Sequence, residues 1–294
     1  MTSDPIVSIV TATHNLVQAD RLEQMRRCVR SVAALAVPHE HLIQDGNSTD
    51  GTRNFLDELS KEYGDLSIES APDSGVYDAF NKAVSRAKGK WIYFLGSDDY
   101  IFSPETMRDV IQAAECSGKR FVISLVRNSD GSNWFSGCKD FSNILIIKPY
   151  GHQGVLMTRD LIQELGCFDA GYRVASDFKL CLKAHLMRER LLFVAKEFAE
   201  FSVGGGLSTV NSIERRERLE IAAELLGVRE KDRPLLMSKQ LLPLRIILPL
   251  LAHQDAVIRR GARYAMVRRI ANMVGLLDAQ GGPRSLRQML CLGS

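Results

Sequence analysis

Acids and hydroxyls gather in four short clusters of this 294-residue chain, each at the end of an apolar run. Thr11, Thr13, His14 and Asn15 close the first run. Asp45 closes the second and opens the turn Gly46-Asn47-Ser48-Thr49-Asp50-Gly51. Asp73-Ser74-Gly75 follows the third, and Ser97-Asp98-Asp99 follows the fourth. Adjacent carboxylates at the end of a buried strand suit a hard divalent cation, and such a cation neutralises a diphosphate. Ser-Asp-Asp is also good turn chemistry, and a lone strand-end aspartate often only caps a helix. Four clusters arriving together weaken that plainer reading. The chain carries neither G-x-x-x-x-G-K-[ST] nor G-x-G-x-x-G after its first apolar run, so any phosphate is held by other means.

The elements that must position these clusters alternate in type. Residues 6–12 form a β-branched run of strand length. Residues 20–35 carry Leu22, Met25, Val29, Val32 and Leu35 at helical spacing. A strand over 41–45 and a helix over 51–63 follow, the helix capped by Thr49 or Asp50. Next come a strand over 66–70, a helix over 76–87 and a wholly apolar strand over 91–95. This β-α-β-α-β-α-β order predicts an α/β fold: a mostly parallel sheet with helices on both faces. Ligands bind such sheets at the carboxyl ends of the strands, where all four clusters lie. Further on, an apolar strand is expected over 144–147, before Tyr150-Gly151-His152-Gln153-Gly154. A helix is expected over 177–187, where Asp177 sits in a first turn that favours negative charge. Gly204-Gly205-Gly206 suits either a closing lid or a plain linker into a helix over 213–226.

Taken together, these segments resemble a family 2 glycosyltransferase of the GT-A fold. VSIVTATHN resembles the family's first strand and nucleotide loop, and QDGNSTDGT (44–52) resembles its DDGSTDGT block. DSGVYDAFNKAVSRAKGKWIYFLGSDDY (73–100) resembles the block that ends in its D-x-D-type metal signature. Order and spacing match over roughly residues 5–210. The DSG-Y-DA-NK form is similar to members from bacterial exopolysaccharide and colanic-acid-type clusters. The resemblance implies a Rossmann-like GT-A sheet. It also implies transfer of a sugar from a nucleoside-diphosphate sugar to an acceptor hydroxyl, with inversion and with Mn²⁺ or Mg²⁺. By this resemblance Thr11, Thr13, His14 and Asn15 line the nucleotide site, and Asp45 reads the base edge. Asp73 and Asn81 border the nucleotide or donor sugar, Ser97 and Asp98 hold the ribose or donor sugar, and Asp99 ligates the metal. Val174-Ala175-Ser176-Asp177-Phe178 resembles the family's acidic motif, which makes Asp177 the general base that the attacking hydroxyl needs. His152 and Gln153 are expected to touch the acceptor or the diphosphate. Two departures bear on the base: Gln44 stands where the family has a first acid, and His14 where it has an aromatic.

Composition bounds the remainder. Hydrophobic residues make up 45% and charged residues 25% of the chain, enough apolar surface to exclude a disordered class. Six cysteines at 28, 116, 138, 167, 181 and 291 form no C-x-x-C pair, which disfavours a zinc ribbon and fits reduced thiols in a cytoplasmic protein. MTSDPIVSIVTATHN lacks a basic leader and is expected to be a first strand. From Arg233 to Ser294 ten Lys and Arg face two acids, +8, so residues 1–232 carry −5 of the net +3. Residues 241–252 are strongly apolar but too short to span a bilayer, and prolines interrupt them. Residues 255–277 set arginines between apolar positions at roughly helical spacing. Such a basic amphipathic helix suits a membrane interface, and equally a subdomain packed on the main domain or a partner contact. One aromatic in the tail argues against nucleic acid. The expected division is a GT-A domain over 1–212, with a nucleotide half to about 100 and an acceptor half beyond it. A helical, basic appendage over 213–294 follows. The expected partners are the sugar nucleotide, a saccharide or lipid-linked saccharide acceptor, and the inner face of a membrane. Two other classes stay open: a sugar nucleotidyltransferase, and a non-catalytic membrane-associated module that binds sugar nucleotides.

Overall fold

The computed structural model describes residues 4–64, 66–131, 144–146, 150–187, 189–203, 211–254 and 256–273. The strands are β1 (Val7–Thr13), β2 (His39–Asp45), β3 (Leu66–Ser70), β4 (Trp91–Phe94), β5 (Tyr100–Ile101), β6 (Phe121–Asn128), β7 (Val155–Thr158) and β8 (Leu191–Phe201). They form one sheet in the order β3-β2-β1-β4-β7-β6-β8-β5. β3, β2, β1 and β4 run parallel. β7 lies antiparallel between β4 and β6, β8 is parallel to β6, and short β5 closes the edge antiparallel to β8.

Side chains alternate along each strand and so feed two faces. Val7, Ile9, Trp91, Tyr93, Val122 and Leu156 pack on one face with α1 (Leu22–Ala33) and α4 (Pro104–Ser117). On that same side Met25 and Val29 of α1 meet Leu56 and Leu59 of α2 (Thr52–Glu62) over Ile43. Val10, Ile92, Phe94, Phe121, Ile123 and Met157 point the other way, to α3 (Val76–Arg86), α5 (Arg159–Glu164), α6 (Ser176–Leu186) and α7 (Asn211–Leu225). The parallel core and its two helical layers are as the periodicity predicts.

Two local expectations change. Residues 144–146 are a turn rather than a strand, and their apolar side chains are buried in the second core instead of joining the sheet. The cap of α2 is Gly51, not Thr49 or Asp50. Asp50 sits one residue outside, where its Oδ1 accepts the Thr52 N–H (3.1 Å) and hydroxyl (2.6 Å). The triple glycine, Cys138, Cys291 and the last 21 residues lie outside the described residues.

After α7 the chain forms α8 (Arg233–Lys239), α9 (Leu244–Leu251) and α10 (Ala256–Met273). Leu236, Leu242, Ile247, Ile258 and Ala262 from this region are buried in the same core as α3 and α6. α10 docks through Gly261, where a Cβ would stand 2.8 Å from Ile144 Cγ2 and 3.0 Å from Leu145 Cγ. Its outer side carries Arg260, Arg263, Val267, Ile270 and Met273, all exposed. Among the described residues no single helix is long and apolar enough to cross a membrane.

Candidate active site

Strand register builds the rim. Thr13 is paired with Asp45, and Asp45 with Ser70, in neighbouring parallel strands. Asp45 is fully buried. Its carboxylate accepts the Thr13 hydroxyl (3.3 Å), the Ser48 N–H (3.0 Å) and hydroxyl (2.5 Å), and the Ser70 hydroxyl (2.6 Å). Four bonds exhaust a carboxylate's acceptor sites. Asn15, at φ 48°, ties two loops together: its N–H donates to Ser48 Oγ (2.8 Å) and its Oδ1 accepts the Thr49 N–H (3.1 Å). His14 is exposed, and its ring and the Asp73 carboxylate both reach toward Gly46. Asp73 Oδ1 also accepts the Gly75 N–H at 3.0 Å, closing the turn into α3.

Beyond β4 the chain turns back, with the Asp99 N–H donating to the Gly96 carbonyl at 3.1 Å. Asp99 is buried, and its carboxylate accepts the Gln153 amide (2.9 Å) and the Ser202 N–H (2.8 Å). Burial first, and Asp98 beside it second, push the Asp99 carboxyl up to about 7. A carboxylate under that strain gains from a cation. Among the described residues no three His, Cys, Asp or Glu side chains gather as a cage. The donor set therefore fits an ion that takes one or two carboxylates and completes its shell from phosphate oxygens and water. Asp98 lies 3.4 Å from the Arg21 guanidinium, and Arg27 donates to its carbonyl at 3.3 Å.

Gln153 is held through side chain and backbone, because its backbone carbonyl accepts the buried Tyr93 hydroxyl at 2.7 Å. It belongs to the short turn His152–Gly154, packed hard on β6. A Cβ at Gly154 would fall 2.3 Å from the Ser124 carbonyl oxygen, so only glycine lets the turn lie there. The turn carries His152 to 3.8 Å (Nδ1 to Oδ2) from Asp177. Asp177 is in the first turn of α6, and its Oδ1 accepts the Phe178 N–H (2.7 Å) and the Tyr77 hydroxyl (3.4 Å).

The groups beyond β4 line one cleft of about 350 Å³. Ser97, Asp98, Asp99, His152, Gln153 and Asp177 all face it, as do aromatic rings including Phe94 and Phe168. Arg21, Tyr77, Glu214 and Arg218 also line it and were not predicted. Thr13, His14, Asn15, Asp45 and Asp73 stay at the strand-end rim and are not part of the cleft's lining, and Thr11 and Asn81 lie elsewhere. Thr11 is buried, bonded through its hydroxyl to His41 Nε2 (2.9 Å), on the side of the sheet that packs against α1. Asn81 spends both ends of its amide on the Phe168 backbone, at 2.8 and 3.0 Å.

An α/β rim with paired carboxylates and a further carboxylate on one cleft is the equipment of a group-transfer enzyme acting on a phosphate-bearing substrate. The family model for glycosyl transferase family 2 matches residues 8–178, more than half of the chain, and the chain belongs to that family. A PGL/p-HBAD biosynthesis glycosyltransferase of Mycobacterium bovis (strain BCG / Pasteur 1173P2) is 29% identical over 234 residues, covering 76% of this chain and 88% of the relative. Among solved structures, S. aureus TarS 1-349 in complex with UDP-GlcNAc superposes with a TM-score of 0.61 at 17% identity, covering 90% of this chain and 92% of that one. Mannosyltransferase PcManGT from Pyrobaculum calidifontis, in complex with GDP-Man and Mn²⁺, gives 0.60 at 18% identity, covering 99% and 80%. The fold is GT-A, and the chain is a glycosyltransferase.

Proposed function

We propose that the enzyme moves a sugar from a nucleoside-diphosphate sugar to an acceptor hydroxyl in a single, inverting displacement. The observation that carries this reading is the presence of Asp98, Asp99 and Asp177 on one cleft. The sugar nucleotides in the complexes of TarS and PcManGT support the donor class. In this reading Asp177 accepts the proton of the attacking hydroxyl. His152, beside Asp177, and Gln153, fixed by Tyr93, orient the acceptor or the diphosphate. Ser97 and Asp98 hold the ribose or donor sugar. Asp99 would hold a divalent cation, Mn²⁺ or Mg²⁺, which supplies positive charge to the leaving diphosphate when bound. Thr13, His14, Asn15 and Asp73 surround the nucleoside. Asp45, its acceptor sites filled, shapes the base pocket through Ser48 and Ser70 rather than by a direct bond. Thr11 and Asn81 serve as supports.

The acceptor in this proposal is a saccharide or lipid-linked saccharide, met at the cytoplasmic face of a membrane. The exposed arginines and apolar side chains of α10 support that placement. The enzyme would then serve polysaccharide or glycolipid synthesis.

The test is a thermal-shift panel of UDP-, GDP- and dTDP-sugars, with and without Mn²⁺, followed by release of the nucleoside diphosphate. One sugar nucleotide should raise the melting temperature in a Mn²⁺-dependent way. Asp177→Asn should retain that shift and lose turnover by about 10²–10⁴-fold. Full turnover by Asp177→Asn would remove it as the base.

A further inference from the structure

Glu217 lies on α7, beyond the segment that the family model matches. It is 5% exposed, deeply buried for a carboxylate. Its Oε1 accepts the Arg173 N–H at 2.8 Å, and its Oε2 accepts the N–H groups of Val174 (2.8 Å) and Ala175 (2.9 Å). Three successive amides thus converge on one anion, the geometry of a backbone nest filled by the protein's own side chain. Hydrogen bonds to an ionised acceptor are about twice as strong as neutral ones.

What this nest carries gives it meaning. Ala175 is the residue before α6, and Asp177 is the second residue of that helix. On the other side of the loop the Val174 carbonyl accepts the Tyr77 hydroxyl at 2.6 Å, and the same hydroxyl reaches Asp177. The loop is therefore held on one side by its N–H groups, which donate to Glu217 of α7, and on the other by its Val174 carbonyl, which accepts the Tyr77 hydroxyl of α3. One turn further along, Lys179 pairs with Glu224 of α7 at 2.8 Å. Glu214 and Arg218, the neighbours of Glu217 on α7, line the cleft itself.

We infer that Glu217 is a positioning residue for sugar transfer: it fixes residues 173–175 so that Asp177 faces the acceptor hydroxyl. This rests on Asp177 being the base. A side chain outside the family match then sets the geometry of the reacting group inside it. Displacing a reacting group by about 1 Å costs on the order of a hundredfold in rate.

The test uses the full chain, the sugar nucleotide that gives the largest thermal shift, and release of nucleoside diphosphate with water as acceptor. Glu217→Gln keeps the volume but points an NH₂ at a backbone N–H. Its kcat should fall about 10–100-fold, with the donor KM and the nucleotide-induced shift within about twofold. In an Asp177→Asn background the same change should cost nothing further, because both act through one group. Equal losses in kcat and nucleotide binding, or an additional loss on top of Asp177→Asn, would make Glu217 a general structural residue and overturn the inference. An unimpaired Glu217→Gln would overturn it as well. If Glu217→Gln melts early, Glu217→Asp is read by the same criteria, since it keeps the charge and draws it back by one methylene. Turnover retained by Asp177→Asn alone would instead overturn the assignment of the base.

Discussion

Burial and a neighbouring acid hold the Asp99 carboxyl near neutrality, so its partners set how the cleft accepts charge. Asp99→Asn should remove the Mn²⁺-dependent part of nucleotide binding by tenfold or more, about 1.4 kcal/mol, measured by titration calorimetry with and without the ion. A second buried group gives a pH signature. His41 is wholly buried, and burial first, with His39 second, lowers it to about 3. The unfolded chain binds this proton near pH 6.5 and the native chain does not. The stability that His41 contributes is thus intact above pH 6.5 and is lost on acidification toward pH 3, by up to about 1.4 kcal/mol per pH unit. Urea unfolding of the wild type and of His41→Gln should diverge in slope against pH over that window; parallel profiles would refute the claim. At this scale the sequence was uneven. Asp98, Asp99 and Asp177 stood out because motif context marked them. Glu217 did not, because it sits among Glu214, Glu220 and Glu224 on a helix where nothing local separates a buried carboxylate from a solvated one. Arg21 was hidden for the same reason: its partner Asp98 is distant in sequence.

The turn His152–Gly154 is the element that joins the two sides of the cleft. Gly154→Ala should push that turn off Ser124, costing about 1–3 kcal/mol in stability from overpacking and weakening nucleotide binding. Denaturant midpoints and the thermal shift would record both, and an unchanged midpoint would show that β6 yields. The parallel strands were readable because β1 and β4 are short runs buried on both faces, and Leu42-Ile43 of β2 lead straight into a dense run of turn residues. β8 was not, since Lys196-Glu197 and half-exposed neighbours break both its alternation and its apolarity. β7 is only four residues long. Ile144-Leu145-Ile146 had a strand's composition, but its apolar side chains are buried under α10 and not in the sheet. Periodicity shows that residues are buried; it does not show against what.

Across the molecule, the +8 tail is continuous with the core: Leu236, Leu242, Ile247, Ile258 and Ala262 are buried there. Removing residues 233–294 should lower the melting temperature by at least about 10 °C, so deletion is a poor probe of membrane contact. Surface changes are better. Wild-type protein should sediment with vesicles of anionic phosphatidylglycerol and not with neutral ones, and added salt should release it. Arg263→Glu with Val267→Ser and Ile270→Ser should abolish sedimentation and leave turnover on soluble substrates unchanged. Binding that survives these changes would assign the basic face to another partner.

Asp99 draws its two fixed partners from 54 and 103 residues further along the chain. A ribosome adds about 5–20 residues per second, so the second partner emerges on the order of 5–20 s after Asp99 itself. Early in that interval β1 to β4 can pair with one another, whereas β7 arrives only after residue 155 and β5 waits for β8, at 191–201, before it can close the edge. The nascent N-terminal half therefore carries Asp99 before either of its partners can seat it, and a chain halted near residue 150 would be folded in part with its cleft unfinished. The order of synthesis thus delays completion of the cleft until the turn at His152–Gly154 and the end of β8 have arrived.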